Sequence, residues 1–154
     1  MAVERSTPYP NFNFVVDFNI FGDPGSFQAG FQEISGIGLE VTVAEYRNGN
    51  EPLNRVRKIT GMYKATDVTL KRGLVGSLNI FNWIRQTREG TLSGQQRATV
   101  TIRLMNEAHT EAVMTFLLHG AVPSKYTGAT LNAKGGTDVA MEELVLACED
   151  LIIE

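Results

Sequence analysis

A mainly β domain is the fold class this sequence predicts, a small barrel or sandwich of roughly seven or eight strands with one flanking helix. Three observations predict it. Short segments alternate apolar and polar residues with a period of two, which puts one set on one face of a strand. The 154 residues include 15 glycines, a supply of tight turns. Only one segment shows convincing helical periodicity.

The elements follow in order. Between Asn11 and Phe21, the residues Phe12, Phe14, Val16, Phe18 and Ile20 alternate with Asn13, Val15, Asp17 and Asn19, which predicts a first strand. Gly22-Asp23-Pro24-Gly25 reads as a turn. Phe27 to Ile34 reads as a second strand, with Gly36 and Gly38 marking a bulge or sharp bend. Leu39, Val41 and Val43 alternate with Glu40, Thr42 and Ala44 in a third strand. The polar stretch from Glu45 to Gly61 contains Asn48-Gly49, Pro52, Arg47, Arg55, Arg57 and Lys58. Its length is unusual for a loop. Leu53, Val56 and Ile59 at intervals of three argue for an extended hairpin or loop arm.

Ala65 to Arg72 reads as a strand with Val68 and Leu70 on one face. Ser77 to Arg88 is the predicted helix, with Ser77 at the N-cap and an apolar stripe of Leu78, Phe81 and Ile84 beside Ile80 and Trp83. Arg85 and Arg88 suit its last turn, and Gly90 ends it. Ala98, Val100, Ile102 and Leu104 alternate with Thr99, Thr101 and Arg103 in the cleanest strand. Asn106 to Thr110 forms a turn, and Ala112 to His119 pairs back and stops by Pro123. Asp138 to Glu149 alternates less cleanly, as if bulged, and Leu151 to Ile153 close the chain.

No linker, repeat or charge block divides the sequence, so residues 1–154 are expected to form one domain with an extended N-terminal segment at 1–10 and an arm at 45–61. Apolar residues at 43% and charged residues at 20% fit a globular chain, not a disordered one. A net charge of −3 argues against a surface that grips nucleic acid throughout. No run of 18 apolar residues predicts a membrane-spanning helix, and Met1 to Pro10 has no apolar signal region, so synthesis in the cytosol is expected.

Chemistry-bearing patterns are scarce. Cys148 stands alone and reads as a small core or interface hydrophobe, with Glu149 and Asp150 arguing against a reactive thiol. His109 and His119 lack patterned ligand partners, and structural or solvated roles are expected for both. Neither a phosphate-binding loop nor a nucleophile elbow occurs. Glu142 and Glu143, being adjacent, point to opposite faces of a strand and cannot pair as catalytic acid and base. No enzyme activity, cofactor or metal is expected.

Several blocks in order carry a resemblance. They are the aromatic strand Phe12 to Phe18, Phe31-Gln-Glu-Ile-Ser-Gly36, and Glu45-Tyr46-Arg47-Asn48-Gly49. Lys58-Ile-Thr-Gly61, Lys64 and Asp67-Val-Thr-Leu-Lys-Arg-Gly73 follow, then Trp83 in the helix. Gly120-Ala-Val-Pro123-Ser-Lys125-Tyr126 comes next, with Val122 where an aromatic is more usual. Leu131-Asn-Ala133 and Val139 to Leu146 close the series. From about Pro8 to its end, the chain resembles the tail-tube proteins of contractile phages and of extracellular contractile injection systems, the T4 tail tube protein-like group.

The resemblance implies hexameric rings stacked into a hollow inner tube, with a surrounding sheath, a baseplate, and effector protein or DNA as cargo in the lumen. It implies no insertion of the subunit itself into a membrane, and a location in an assembled virion or injection particle after synthesis in bacteria. Tyr46, Arg47, Asn48, Arg55, Arg57 and Lys58 become candidates for contacts between subunits or rings. Thr99, Thr101 and Arg103 become candidates for the lumen wall, and Leu78, Phe81, Trp83 and Ile84 for the docked face of the helix. Two other readings stay open at this point: a tube-initiating paralogue at the baseplate, and a monomeric ligand-binding β-barrel.

Overall fold

The computed structural model describes residues 2–19, 27–89 and 97–154, with the backbone alone at 27–29. The chain is mainly β. In order it forms β1 (Phe14–Asn19), β2 (Phe27–Ala29), β3 (Glu33–Ser35), β4 (Leu39–Tyr46), β5 (Arg57–Ala65) and β6 (Val68–Gly73). The helix α1 (Asn79–Glu89) follows, then β7 (Ala98–Met105), β8 (Ala112–Thr127), β9 (Met141–Ala147) and β10 (Asp150–Ile153). The described strands thus number ten, above the sequence expectation, because Phe27 to Ile34 divides into two short strands and Leu39 to Ala65 forms its own hairpin. The turn expected at Gly22 to Gly25 and the stop at Gly90 lie outside the described residues.

Every pairing is antiparallel, in the order β2-β1-β7-β8-β9-β6-β3, with β10 on β8. The path does not close: β2 and β3 are its ends. The long strand β8 folds this path over a core. Ala112 to Ala121 pair with β7, Phe116 to His119 also carry β10, and from Val122 onward the strand pairs with β9. Gly120 sits at the hand-over with φ 63°, a left-handed conformation that favours glycine. Pro123 does not end the strand. It faces Leu146 beside a register shift between Pro123 and Lys125, an irregularity that tolerates its missing N–H. The bulge expected in the last long strand lies there on β8, while β9 itself alternates cleanly.

The inward faces of β1, β6 and β7 are those the period-two pattern predicts, with Val16 and Phe18, Val68 and Leu70, Val100 and Ile102 all buried, and β9 adds Leu144 and Leu146. Phe12 is exposed and precedes β1. The helix is rotated from the expected stripe. Ile80 and Trp83 are buried and Ile84 packs on the core, whereas Leu78 and Phe81 are 64% and 44% exposed. Spacing of three and four from Ile80 selects residues 80, 83, 84 and 87, which puts 78 and 81 on the opposite side. Trp83 meets Phe18 edge-on with centroids 5.9 Å apart. Leu78, not Ser77, caps the helix start, because the Asn82 N–H donates to the Leu78 carbonyl at 2.8 Å. No helix among the described residues is long and apolar enough to cross a membrane.

Candidate assembly surface

The most exposed regular element is the β4–β5 hairpin, residues 39–65. Among the described residues it pairs with no other strand, and all eight residues of β4 and the first eight of β5 are exposed. The third strand and the arm of the sequence reading are one object. Its register places Leu39 opposite Ala65, Val41 opposite Tyr63, Val43 opposite Thr60 and Glu45 opposite Lys58. A bulge on β5 near Gly61 and Met62 falls between the second and third pairs. One face of the hairpin therefore runs apolar through Leu39, Val41, Val43 and Tyr63, then ends on Glu45 and Lys58. In a lone molecule such a two-stranded ribbon is marginal, and its exposed apolar face makes it the candidate contact surface.

The turn is tied internally. The Arg47 guanidinium donates to the Glu51 carbonyl at 3.1 Å and to the Leu53 carbonyl and Asn54 Oδ1 at 3.3 Å. Tyr46 Oη donates to Asn48 Oδ1. Arg57 pairs with Glu51 at 3.2 Å, and Lys58 stands opposite Glu45. Among the described residues, Arg55 makes no ion pair. The six arm residues singled out from the sequence thus divide: Tyr46, Arg47 and Asn48 shape the turn, Arg57 and Lys58 face acidic partners on the hairpin, and Arg55 is uncommitted.

The hairpin base is clamped to the sandwich. Thr66 Oγ1 donates to the Gly36 carbonyl at 2.5 Å and lies 3.1 Å from the Gly38 carbonyl. Gly36 has φ 84°, and a Cβ there would stand 2.3 Å from the Asp67 carbonyl oxygen. Cys148 Sγ lies 3.6 Å from the Thr66 carbonyl. Burial pushes this thiol up, aided by the charges of Asp67 and Asp150, which leaves it an unreactive packing group.

Thr99, Thr101 and Arg103 occupy the β7 face opposite the core, half-buried, and Arg103 pairs with Asp17 of β1. Trp83 and Ile84 enter the core, while Leu78 and Phe81 do not. The N-terminal segment lies on the β7–β8 turn: the Val3 N–H donates to the Val113 carbonyl at 2.9 Å, and Arg5 pairs with Glu107 at 2.7 Å. His109 has φ 59° in that turn, and His119 sits within β8. Among the described residues no three His, Cys, Asp or Glu side chains cluster as metal ligands. A surface groove of about 900 Å³ is lined by residues of 127–143 with Gln32 and Lys71, outside the packed core.

A buried ion pair escaped the sequence reading. Arg72 on β6 meets Glu142 on β9, and Tyr126 Oη donates to the other Glu142 oxygen at 2.6 Å. The signal was present: Arg72 continues the Val68/Leu70 face and Glu142 the Leu144/Leu146 face, two opposite charges at the ends of two apolar rows.

Residues 10–152 match the family described as T4-like virus tail tube protein gp19. A chain in the structure described as the anti-feeding prophage (AFP) baseplate, 6-fold symmetrised, is 27% identical with a TM-score of 0.85, covering 97% of both chains. A chain of the PVC sheath-tube complex in the extended state, an extracellular contractile injection system, is 27% identical with a TM-score of 0.80, covering 97% of this chain and 93% of the other. Hcp1 from Flavobacterium johnsoniae shares the fold alone, at 9% identity and a TM-score of 0.50 over 90% of this chain and 94% of the other. No curated protein matches the sequence.

Proposed function

The chain belongs to the T4-like virus tail tube protein family, and we propose that it builds the inner tube of a contractile injection system by stacking hexameric rings around a lumen. The observation that carries this reading is the projecting hairpin, clamped at Thr66 and unpartnered along its apolar face. Burying that face on another copy removes it from water, at about 25 cal/mol per Å². Residues 39–65 hold five basic and three acidic side chains, net +2, on a chain of net −3. The remainder is therefore −5, so arm and body differ in charge, and an arm received on a different surface of another copy is a head-to-tail contact. Such contacts build rings and, with a twist, open filaments.

Ring symmetry of six is supported by the 6-fold symmetrised assembly that holds a similar chain. Sheath and baseplate are the proposed partners, since similar chains stand in assemblies described by those words. The β7 face with Thr99, Thr101 and the Asp17-paired Arg103 is the proposed lumen wall: polar, charge-balanced and suited to passing protein or DNA without trapping it. Catalysis has no part in this function. A second reading, a tube-initiating copy at the baseplate, is favoured by the TM-score of 0.85 with the baseplate chain.

Electron microscopy of the purified protein and of particles from the source cells tests the reading. Hollow tubes with six-fold class averages are expected. The variant Val41→Ser/Val43→Ser/Tyr63→Ser is expected to keep the melting temperature of the sandwich and yield no tubes. Dispersed monomers from the unaltered chain, with no tubular particles in the cells, overturn the tube reading. Normal tubes from the triple variant remove the hairpin from it.

A further inference from the structure

Two exposed surfaces on this chain share one pattern. On the hairpin, Leu39, Val41 and Val43 are followed by Glu45, with Lys58 opposite it. The second surface runs through Leu74, Val75, Leu78 and Phe81 to Arg85 and Arg88. Residues 78, 81, 85 and 88 share one side of α1, the side turned away from buried Ile80 and Trp83. Both surfaces run from apolar to charged, and the leading charges are opposite. Glu89, four residues after Arg85, ends the stripe as Lys58 flanks Glu45. Among the described residues Glu45, Lys58, Arg85, Arg88 and Glu89 form no ion pairs, so each remains available to a partner.

We propose that the hairpin of one copy lies on the α1 stripe of a neighbouring copy, with Leu39, Val41 and Val43 on Leu74, Val75, Leu78 and Phe81, and Glu45 beside Arg85. This deepens the tube reading and rests on it, because it names the surface that receives the arm. The contact is heterologous, so each copy both gives a hairpin and receives one. Stripe against stripe is disfavoured by Arg85 and Arg88 meeting their counterparts, and hairpin against hairpin sets two arms of net +2 against each other.

Oxidative cross-linking tests it in the full chain. In a Cys148→Ser background, Val43→Cys/Phe81→Cys is expected to give dimers and higher multiples on a non-reducing gel, over a concentration series and in tubes. The two single-cysteine chains are expected to lack the ladder. Glu45→Arg is expected to lower tube yield about tenfold, and Glu45→Arg/Arg85→Glu to restore it, a tenfold change being 1.4 kcal/mol. Tubes without the ladder, or a swap that restores nothing, overturn the contact. A ladder from a chain that forms no tubes upholds the contact and overturns the tube reading instead. A chain that yields neither ladder nor tubes overturns both.

Discussion

Arg72 and Glu142 face each other across the β6–β9 ladder, 5% and 4% exposed, on the same strand faces as buried Val68 and Leu70 and buried Leu144 and Leu146. Their charges are satisfied together: Glu142 accepts from Arg72 and from Tyr126, and Arg72 also reaches the Ser77 carbonyl at 3.3 Å. The pair thereby ties two strands to the segment that leads into α1. Breaking it leaves one buried charge without a partner. Glu142→Leu is expected to cost about 3–5 kcal/mol, whereas Arg72→Met/Glu142→Leu costs far less. Chemical denaturation of the three chains checks this; equal losses in the single and double variants would refute the coupling.

Tyr126 gives the pair a pH signature. Its hydrogen bond to Glu142, then burial and the Glu142 charge, hold its hydroxyl above the ordinary value, against a smaller opposing effect of Arg72. A group raised on folding contributes stability that is full below its unfolded pKa of about 10 and is lost as pH rises through the folded value. Tyr126→Phe is expected to be less stable than the unaltered chain at pH 8, and the gap is expected to shrink above about pH 10. A gap that stays constant from pH 8 to 11 would show that the hydroxyl does not titrate against Glu142.

Trp83 anchors α1 by its contact with Phe18. Trp83→Ala is expected to destabilise the subunit by about 3–5 kcal/mol, while Phe81→Ala changes stability little because Phe81 lies outside the core. Thermal melting of both variants separates the docked face from the exposed one.

Two glycines with positive φ differ in what a methyl group would meet. At Gly36 it would strike the Asp67 carbonyl at 2.3 Å, which is backbone and fixed. At Gly120 it would meet the Glu149 carboxylate at 2.5 Å, the end of a side chain that can swing away. Both substitutions strain the backbone, and Gly36→Ala is expected to be the costlier, with faster proteolysis between residues 47 and 56 as the hairpin base loosens. Greater loss at Gly120 would mean that the Arg97–Glu149 pair is less free to move than its exposed position indicates.

Cys148 is expected to react more slowly with a thiol reagent in the folded chain than in denaturant. Its thiol is raised chiefly by burial, and the folded protein therefore holds less thiolate. Equal rates would place the thiol in solvent.

Much of the fold was legible in the sequence. The strands around Val16, Leu70 and Val100 follow from strict alternation, because each has one face in the core and one outside. The candidate site was partly legible: Glu45 to Gly61 stood out as an arm, but its strands begin at Leu39 and end at Ala65. Apolar residues on Leu39, Val41 and Val43 read as core whether a strand is buried in its own chain or awaits another copy. Arg57 and Lys58 stood out only as contact candidates, because cross-strand register, which sets them opposite Tyr46 and Glu45, is not local information.

The sequence by itself determined what local physics controls: period-two strands, one amphipathic segment, the turns at Asn48-Gly49 and Asn106 to Thr110, and the ordered blocks of the tail-tube family. Only the tertiary structure decided which side of α1 docks, that β8 runs through Pro123 and passes from β7 to β9, and that Arg72 meets Glu142. The physical reason is the same each time. Leu78 and Ile80 are equally apolar, a bulge exists only relative to a partner strand, and a charge is tolerable in a core only when a residue 70 positions away answers it.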